Sequence, residues 1–169
     1  AGTREQKAED LMNMFKDEEV KAIICLEGGQ NCNTFIDLLD YDVIRQNPKI
    51  ITGYSDVTVL LQTIYNKTGL VTFHGSTFVC FGEEDAKEKY KEFESTFVNK
   101  KIGKFVTGNK KTIREGNVEG KIIGTNLGSM MYLLGTEYLP DMKDNILLIE
   151  SYRTSPNECQ RRFAHLKQY

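Results

Sequence analysis

Apolar positions along this chain alternate between helical and strand-like spacings, and the alternation predicts an order of elements. Thr3 and Gln6 stand at capping-box spacing, and Ala8, Leu11 and Phe15 then recur at helical intervals, predicting a first helix that ends near Asp17. The apolar run Ala22 to Leu26 has strand length and meets Gly28-Gly29, where a strand should end. Across 34–44, Phe35, Leu38, Leu39 and Ile44 keep mostly helical spacing, broken at Asp40-Tyr41-Asp42; Pro48 then closes the segment before an Ile50-Ile51 strand. The stretch ITGYSDVTVLLQTIYNK passes from β-branched residues through a Gly-Tyr-Ser-Asp corner into an apolar stripe at Val57, Leu60, Leu61 and Ile64, with Gly69 as the stop. Leu70 to Phe73 is the next strand, ending at His74-Gly75.

This order argues an α/β fold with a mostly parallel sheet and flanking helices, a Rossmann-like or glutamine-amidotransferase-like N-terminal domain over residues 1–101. A helix that opens such a sheet normally crosses over from an earlier strand, so a first strand is expected upstream. Residues 83–101 predict a charged helix with Tyr90, Phe93 and Phe97 on one face, read as a solvated surface helix. Between 102 and 120, Gly and Lys punctuate short β-prone pieces, which predicts a linker and the start of a partial second α/β domain over 102–169. That domain offers a strand at Lys121 to Ile123, a glycine-flanked helix at Asn126 to Leu134, and a strand from Ile146 to Ile149 ending on Glu150. A last helix follows, with Ser155 as cap, Pro156 at its first position and Glu158 completing a capping box.

Composition narrows the function classes. A formal charge of -2 and a pI near 5.8 provide no basic field for nucleic acid or an acidic membrane surface. No apolar run approaches the roughly 18 to 20 residues of a membrane span, and no basic segment followed by an apolar one opens the chain. Cys25, Cys32, Cys80 and Cys159 form no CxxC pair, which argues against a zinc knuckle or a disulfide scaffold and suits reduced thiols in a cytoplasm. HExxH, GxGxxG and GxxxxGK strings are absent, and nothing implies a metal or an organic cofactor.

The chemistry centres on the corner. Ser55 there reads either as a nucleophile pushed out beyond a strand end or as a helix cap, a role serine also favours. Gly53 stands two residues before it, but Val57 stands two after, where the Gly-x-Ser-x-Gly pattern has glycine. Gly28-Gly29 would let backbone amides approach a developing oxyanion, or would form an ordinary tight turn. Glu150 would be delivered to the carboxyl edge of a sheet, where open α/β folds place their sites, or would be an exposed charge at a strand end. Cys32 lacks an elbow and an adjacent His, Cys25 and Cys80 read as small core residues, and His165 as a surface residue. His74 follows a strand and is the base that the residues alone suggest.

Several spaced strings together resemble the LD-carboxypeptidase family of serine peptidases, and within it the microcin C immunity branch. They are VKAIICLEGG, LLDYDVIRQNPKIITGYSDVTVL, KTGLVTFHGS, EGKIIGTNLGSMMYLLGTEYLPD, and ILLIE with a downstream Arg-containing helix. The resemblance implies Ser55 as nucleophile, Glu150 as the acidic member of a Ser-Glu-His triad, and an oxyanion hole from the amides near Gly28-Gly29 and of Asp56. It also moves the base away from His74. The family histidine lies in a glycine-flanked segment well past the ILLIE strand, expected beyond Tyr169, and neither His74 nor His165 matches it. Thr125 stands where a second glycine is common, and Gly128 where serine is common. Family substrates imply a small peptide or peptidyl-nucleotide partner, and the family likeness implies a homodimer; charge and hydropathy point to no nucleic acid and no membrane. The rival expectation is a non-catalytic α/β binding module.

Overall fold

A computed structural model describes residues 2–101 and 111–169. Its elements, in chain order, are α1 (Arg4–Lys16), β1 (Ala22–Ile24), α2 (Tyr41–Gln46), β2 (Ile50–Gly53), α3 (Val57–Thr68), β3 (Phe73–His74), α4 (Ala86–Phe93), β4 (Ile122–Asn126), α5 (Leu127–Met130), β5 (Ile146–Glu150) and α6 (Pro156–Gln168). Strands β1, β2 and β3 form one parallel sheet in that order, and β4 and β5 a second parallel pair. The expected α/β class with parallel strands and flanking helices holds.

Local chemistry explains most of the boundaries. Thr3 and Gln6 exchange the two bonds of a capping box at the start of α1, whose Ala8, Leu11, Met12 and Phe15 are buried. Gly69 ends α3 in the left-handed conformation at φ 76, its amide donating to the Tyr65 carbonyl at 2.8 Å. Ser155 caps α6 by accepting from the Glu158 amide, and Pro156 occupies the first turn. The box expected there is incomplete, because the Glu158 carboxylate pairs with Arg162 one turn on.

Several expected elements are shorter or shifted. Strand β1 stops at Ile24 instead of Leu26, because the Cys25 and Leu26 carbonyls accept from the amides of Phe78 and Val79. The helix expected at 34–44 is two 3₁₀ turns, Cys32–Thr34 and Ile36–Leu38, followed by α2, whose start Asp40 caps. Strand β3 begins at Phe73 and not Leu70: the Leu70 amide donates to the Thr68 hydroxyl and the Thr72 hydroxyl donates to the Leu61 carbonyl, tying 70–72 to the end of α3. The helix expected at 126–134 is a single turn, α5, continued by turns. In the charged segment, α4 is exposed as expected and passes into a π turn at Glu94–Val98, while Phe93 and Phe97 pack with Phe81 and Phe73. Residues 111–120 carry no regular structure, and the remainder of the 102–120 stretch falls outside the described residues.

Helix α3 is the centre of the packing. Its residues Val57 to Ile64 are all buried, polar Thr58, Gln62 and Thr63 included, so a stripe on one face was too little to expect. The cause is position: α3 contacts β2 and β3 on one side and β4 and α5 on the other. One apolar cluster accordingly joins α1, β1, β2 and α3 to Met130, Leu133 and Leu139.

Candidate active site

The site is assembled where β2 ends. Gly53 is required there by close approach: a Cβ on it would lie 2.7 Å from Val57 Cγ1 and 3.2 Å from Cys25 Cβ, so only glycine lets the strand turn so sharply into the helix. Ser55 takes up the turn with φ 61, a left-handed backbone that costs a residue with a Cβ roughly 1 to 2 kcal/mol. The corner closes through the Val57 amide on the Tyr54 carbonyl at 3.3 Å and the Thr58 amide on the Ser55 carbonyl at 3.0 Å.

Ser55 therefore does not cap α3. The capping position is Asp56, without a side-chain cap bond, and among the described residues the Ser55 hydroxyl has no hydrogen-bond partner. It faces Gly28. A Cβ on Gly28 would sit 2.9 Å from Ser55 Cβ and 3.0 Å from its Oγ, so the absence of a side chain at Gly28 is what admits the serine. Gly29 lies beside Asp56, with its Cβ position 3.6 Å from Asp56 Oδ2. The Asp56 carboxylate is buried and accepts from the Cys32 amide at 2.8 Å, which ties the loop after the diglycine to the corner. Gly28, Gly29, Ser55 and Asp56 thus form one neighbourhood.

Cys32 does not offer a rival nucleophile. Burial and then the charge of Asp56 push its thiol well above its ordinary range, so the thiolate is disfavoured near neutral pH. Cys25 is pushed up to about 11 by burial. Among the described residues no group of three His, Cys, Asp or Glu side chains could hold a metal ion.

Glu150 ends β5 directly opposite Asn126 at the end of β4. Asn126 Nδ2 donates to Glu150 Oε1 at 2.6 Å, and Asn126 Oδ1 accepts from the Ser129 amide and hydroxyl, both at 3.0 Å. The asparagine therefore caps α5 and holds the carboxylate at once. His74, at the end of β3 opposite Gly53, is exposed, yet partial desolvation of its imidazole lowers the pKa by more than the nearby Glu150 carboxylate raises it. His165 lies in the last turn of α6, where its carbonyl accepts from the Tyr169 amide at 3.2 Å.

Asn126, Thr58 and Thr125 were absent from the sequence-based candidates. The signal for Asn126 was present, since Asn is among the preferred N-cap residues and stands at the start of the predicted helix. Thr125 carries φ 134 and Gly124 φ 110, so a kink in β4 explains why glycine suits this position elsewhere in the family pattern. The room left by Gly128 is taken by the Arg162 guanidinium, 2.9 Å from where a Cβ would stand.

A parallel α/β sheet, a serine in a strained strand-to-helix corner and a carboxylate at the edge of a second parallel pair define the class: an α/β protein with an elbow-type serine site. Family models for the LD-carboxypeptidase N-terminal domain and C-terminal domain match residues 1–75 and 119–169, respectively. The chain belongs to the LD-carboxypeptidase family. It is 32% identical to the microcin C7 self-immunity protein MccF of Escherichia coli, over 99% of this chain and 57% of that protein. It is 33% identical to a Bacillus subtilis protein named Probable murein peptide carboxypeptidase, over 99% of this chain and 53% of that one. Among solved structures, an MccF-like protein from Bacillus anthracis superposes with a TM-score of 0.88 at 32% identity, covering 99% of this chain and 59% of that chain. The chain thus spans a little over half the length of the relatives it matches.

Proposed function

We propose that the protein containing this chain is a serine peptidase that hydrolyses an amide bond through an acyl-enzyme. In this reading Ser55 Oγ attacks the carbonyl carbon, and the amides of Gly28, Gly29 and Asp56 stabilise the oxyanion. Glu150 orients the histidine that accepts the serine proton and returns it to the leaving nitrogen. That histidine belongs, by the family pattern, to a glycine-flanked segment after the ILLIE strand, a description that neither His74 nor His165 meets. Water, deprotonated by the same histidine, then attacks the acyl carbonyl; the bond to Ser55 Oγ breaks, the histidine returns the proton to that oxygen, and the acid product leaves. The observation that carries the reading is Ser55 itself: a non-glycine residue at φ 61, with a hydroxyl that faces Gly28 and has no partner among the described residues. A fold bears such strain where it presents a side chain that a relaxed corner would turn away.

The substrate in this proposal is either a peptidyl-nucleotide of the microcin C type or a murein peptide. Support for the first comes from MccF, whose solved complexes hold aspartyl sulfamoyl adenosine and glutamyl sulfamoyl guanosine. Support for the second comes from the murein-directed relative at similar identity. The proposal includes a nucleophile-bearing unit at 1–101, a unit carrying the acid at 102–169, a cytoplasmic location and a homodimer. Among the described residues no helix is long and apolar enough to cross a membrane. The test is a fluorophosphonate probe on the intact protein, followed by assays with both substrate classes. Labelling at Ser55, lost in Ser55→Ala together with hydrolysis, is the expected result. An unlabelled Ser55 would overturn the peptidase and leave an α/β binding module.

A further inference from the structure

The elbow and the Glu150 pair belong to different sheets, and the contact that sets one against the other is polar. Thr58 and Gln62 lie one helical turn apart on α3, on one face. Thr58 Oγ1 accepts from the Asn126 amide at 3.3 Å, and Gln62 Oε1 accepts from the Gly124 amide at 3.2 Å. Residues 124 and 126 point their amides to the same edge of β4, the edge away from β5. The spacings agree: four helical residues rise about 6 Å, and two strand residues about 6.6 Å. A strand edge that would otherwise be bare is thereby paired with a helix. Thr58 also bonds the Thr125 hydroxyl at 2.8 Å, at the residue with φ 134, and both threonines are buried.

These bonds run without a break from nucleophile to acid. The Thr58 amide donates to the Ser55 carbonyl, the Asn126 amide donates to the Thr58 hydroxyl, and the Asn126 side chain donates to Glu150. We propose that Thr58 is a positioning residue: its hydroxyl registers β4 against the elbow helix, and so fixes the Asn126–Glu150 pair relative to Ser55. The proposal rests on the peptidase reading for its catalytic consequence, but not for the registration itself.

Three variants test it. Thr58→Val keeps the shape and removes the hydroxyl; Thr58→Ser restores the oxygen; Thr58→Val with Thr125→Val removes both hydroxyls, so that neither is left buried without the other. Hydrogen exchange is read at the Asn126 amide of the intact protein, alongside kcat, KM and the denaturation midpoint. Thr58→Val should speed exchange at Asn126 at least 10-fold and lower kcat about 10- to 100-fold, with KM within threefold, the scale of a misplaced catalytic group. Thr58→Ser should stay within threefold of the parent in both, and the double variant should recover stability without recovering kcat. Unchanged Asn126 exchange in Thr58→Val overturns the registration. Fast exchange with kcat intact, or kcat that returns with stability in the double variant, overturns the positioning role. A parent protein whose Ser55 resists the fluorophosphonate probe counts against the peptidase reading instead, while exchange at Asn126 still decides the registration.

Discussion

Gly28→Ala is the most searching single change at the corner. The added Cβ would stand 2.9 Å from Ser55 Cβ and 3.0 Å from Ser55 Oγ, whereas carbon atoms rest at about 3.5 to 4.0 Å. Nothing near can fold away cheaply: Ser55 has one heavy atom beyond Cβ, and its backbone is held by the turn into buried α3. Overpacking of this kind costs about 1 to 3 kcal/mol. Gly28 does not occupy the left-handed region, so alanine also stabilises by about 0.4 to 1 kcal/mol through the unfolded chain, and the single variant understates the clash. A double-mutant cycle with Ser55→Gly isolates it. That change deletes the Cβ in the way and relaxes the φ 61 backbone, a gain of about 1 to 2 kcal/mol set against about 0.5 to 1 for glycine's entropy. Guanidinium denaturation of the parent, both single variants and the double should give a coupling of at least about 1 kcal/mol, with the double more stable than the sum of the singles predicts. In Gly28→Ala a displacement of Ser55 by ~1 Å should slow its labelling by a fluorophosphonate about 100-fold. Additivity within about 0.5 kcal/mol would refute the contact between Gly28 and Ser55.

Three further outcomes follow from polar groups around the site and in α3. Partial desolvation holds the His74 imidazole below its ordinary 6.5 while the Glu150 carboxylate raises it, so Glu150→Gln should lower the His74 pKa further in an NMR titration; an unmoved value would mean the two strand ends do not face each other. Because the folded pKa lies below the unfolded one, the stability tied to neutral His74 is complete above pH 6.5 and lost as pH falls from there through the folded value. His74→Gln should flatten the stability profile in that window. Thr63 is buried and its hydroxyl has no partner among the described residues. Thr63→Val keeps the shape and should leave stability unchanged or raise it by about 1 kcal/mol in the denaturation midpoint; a loss of more than about 1 kcal/mol would reveal an unseen partner.

The elements that local chemistry controls were legible. Capping at Thr3, the stop at Gly69 and the cap at Ser155 each depend on a few adjacent residues, and each forms where its pattern predicts. Strand lengths were less so, because they depend on neighbours distant in sequence: β1 loses Leu26 to bonds with Phe78 and Val79, and β3 loses Leu70 to its ties with Thr68. Thr58 and Gln62 were invisible for a related reason. Polar residues inside an apolar helix pattern read as its solvent face until a second sheet is known to lie there.

Ser55 shows where local reading stops. Serine just before an apolar helix satisfies the pattern of a cap and that of an elbow equally well, since both need a short polar residue between strand and helix. The backbone separates them: a cap is extended, with its oxygen turned back to the helix amides, whereas Ser55 sits at φ 61 with its oxygen towards Gly28. That conformation is over-determined by contacts made elsewhere. Gly53 must be bare to meet Val57 and Cys25, Gly28 must be bare to receive the serine, and Asp56 must be buried to anchor Cys32. Three of these partners, Cys25, Gly28 and Cys32, come from the segment that follows β1, so the corner is a property of two adjacent strands and not of the GYSD string. A Ser55 transplanted with its helix, but without the diglycine loop, should therefore relax into an ordinary cap.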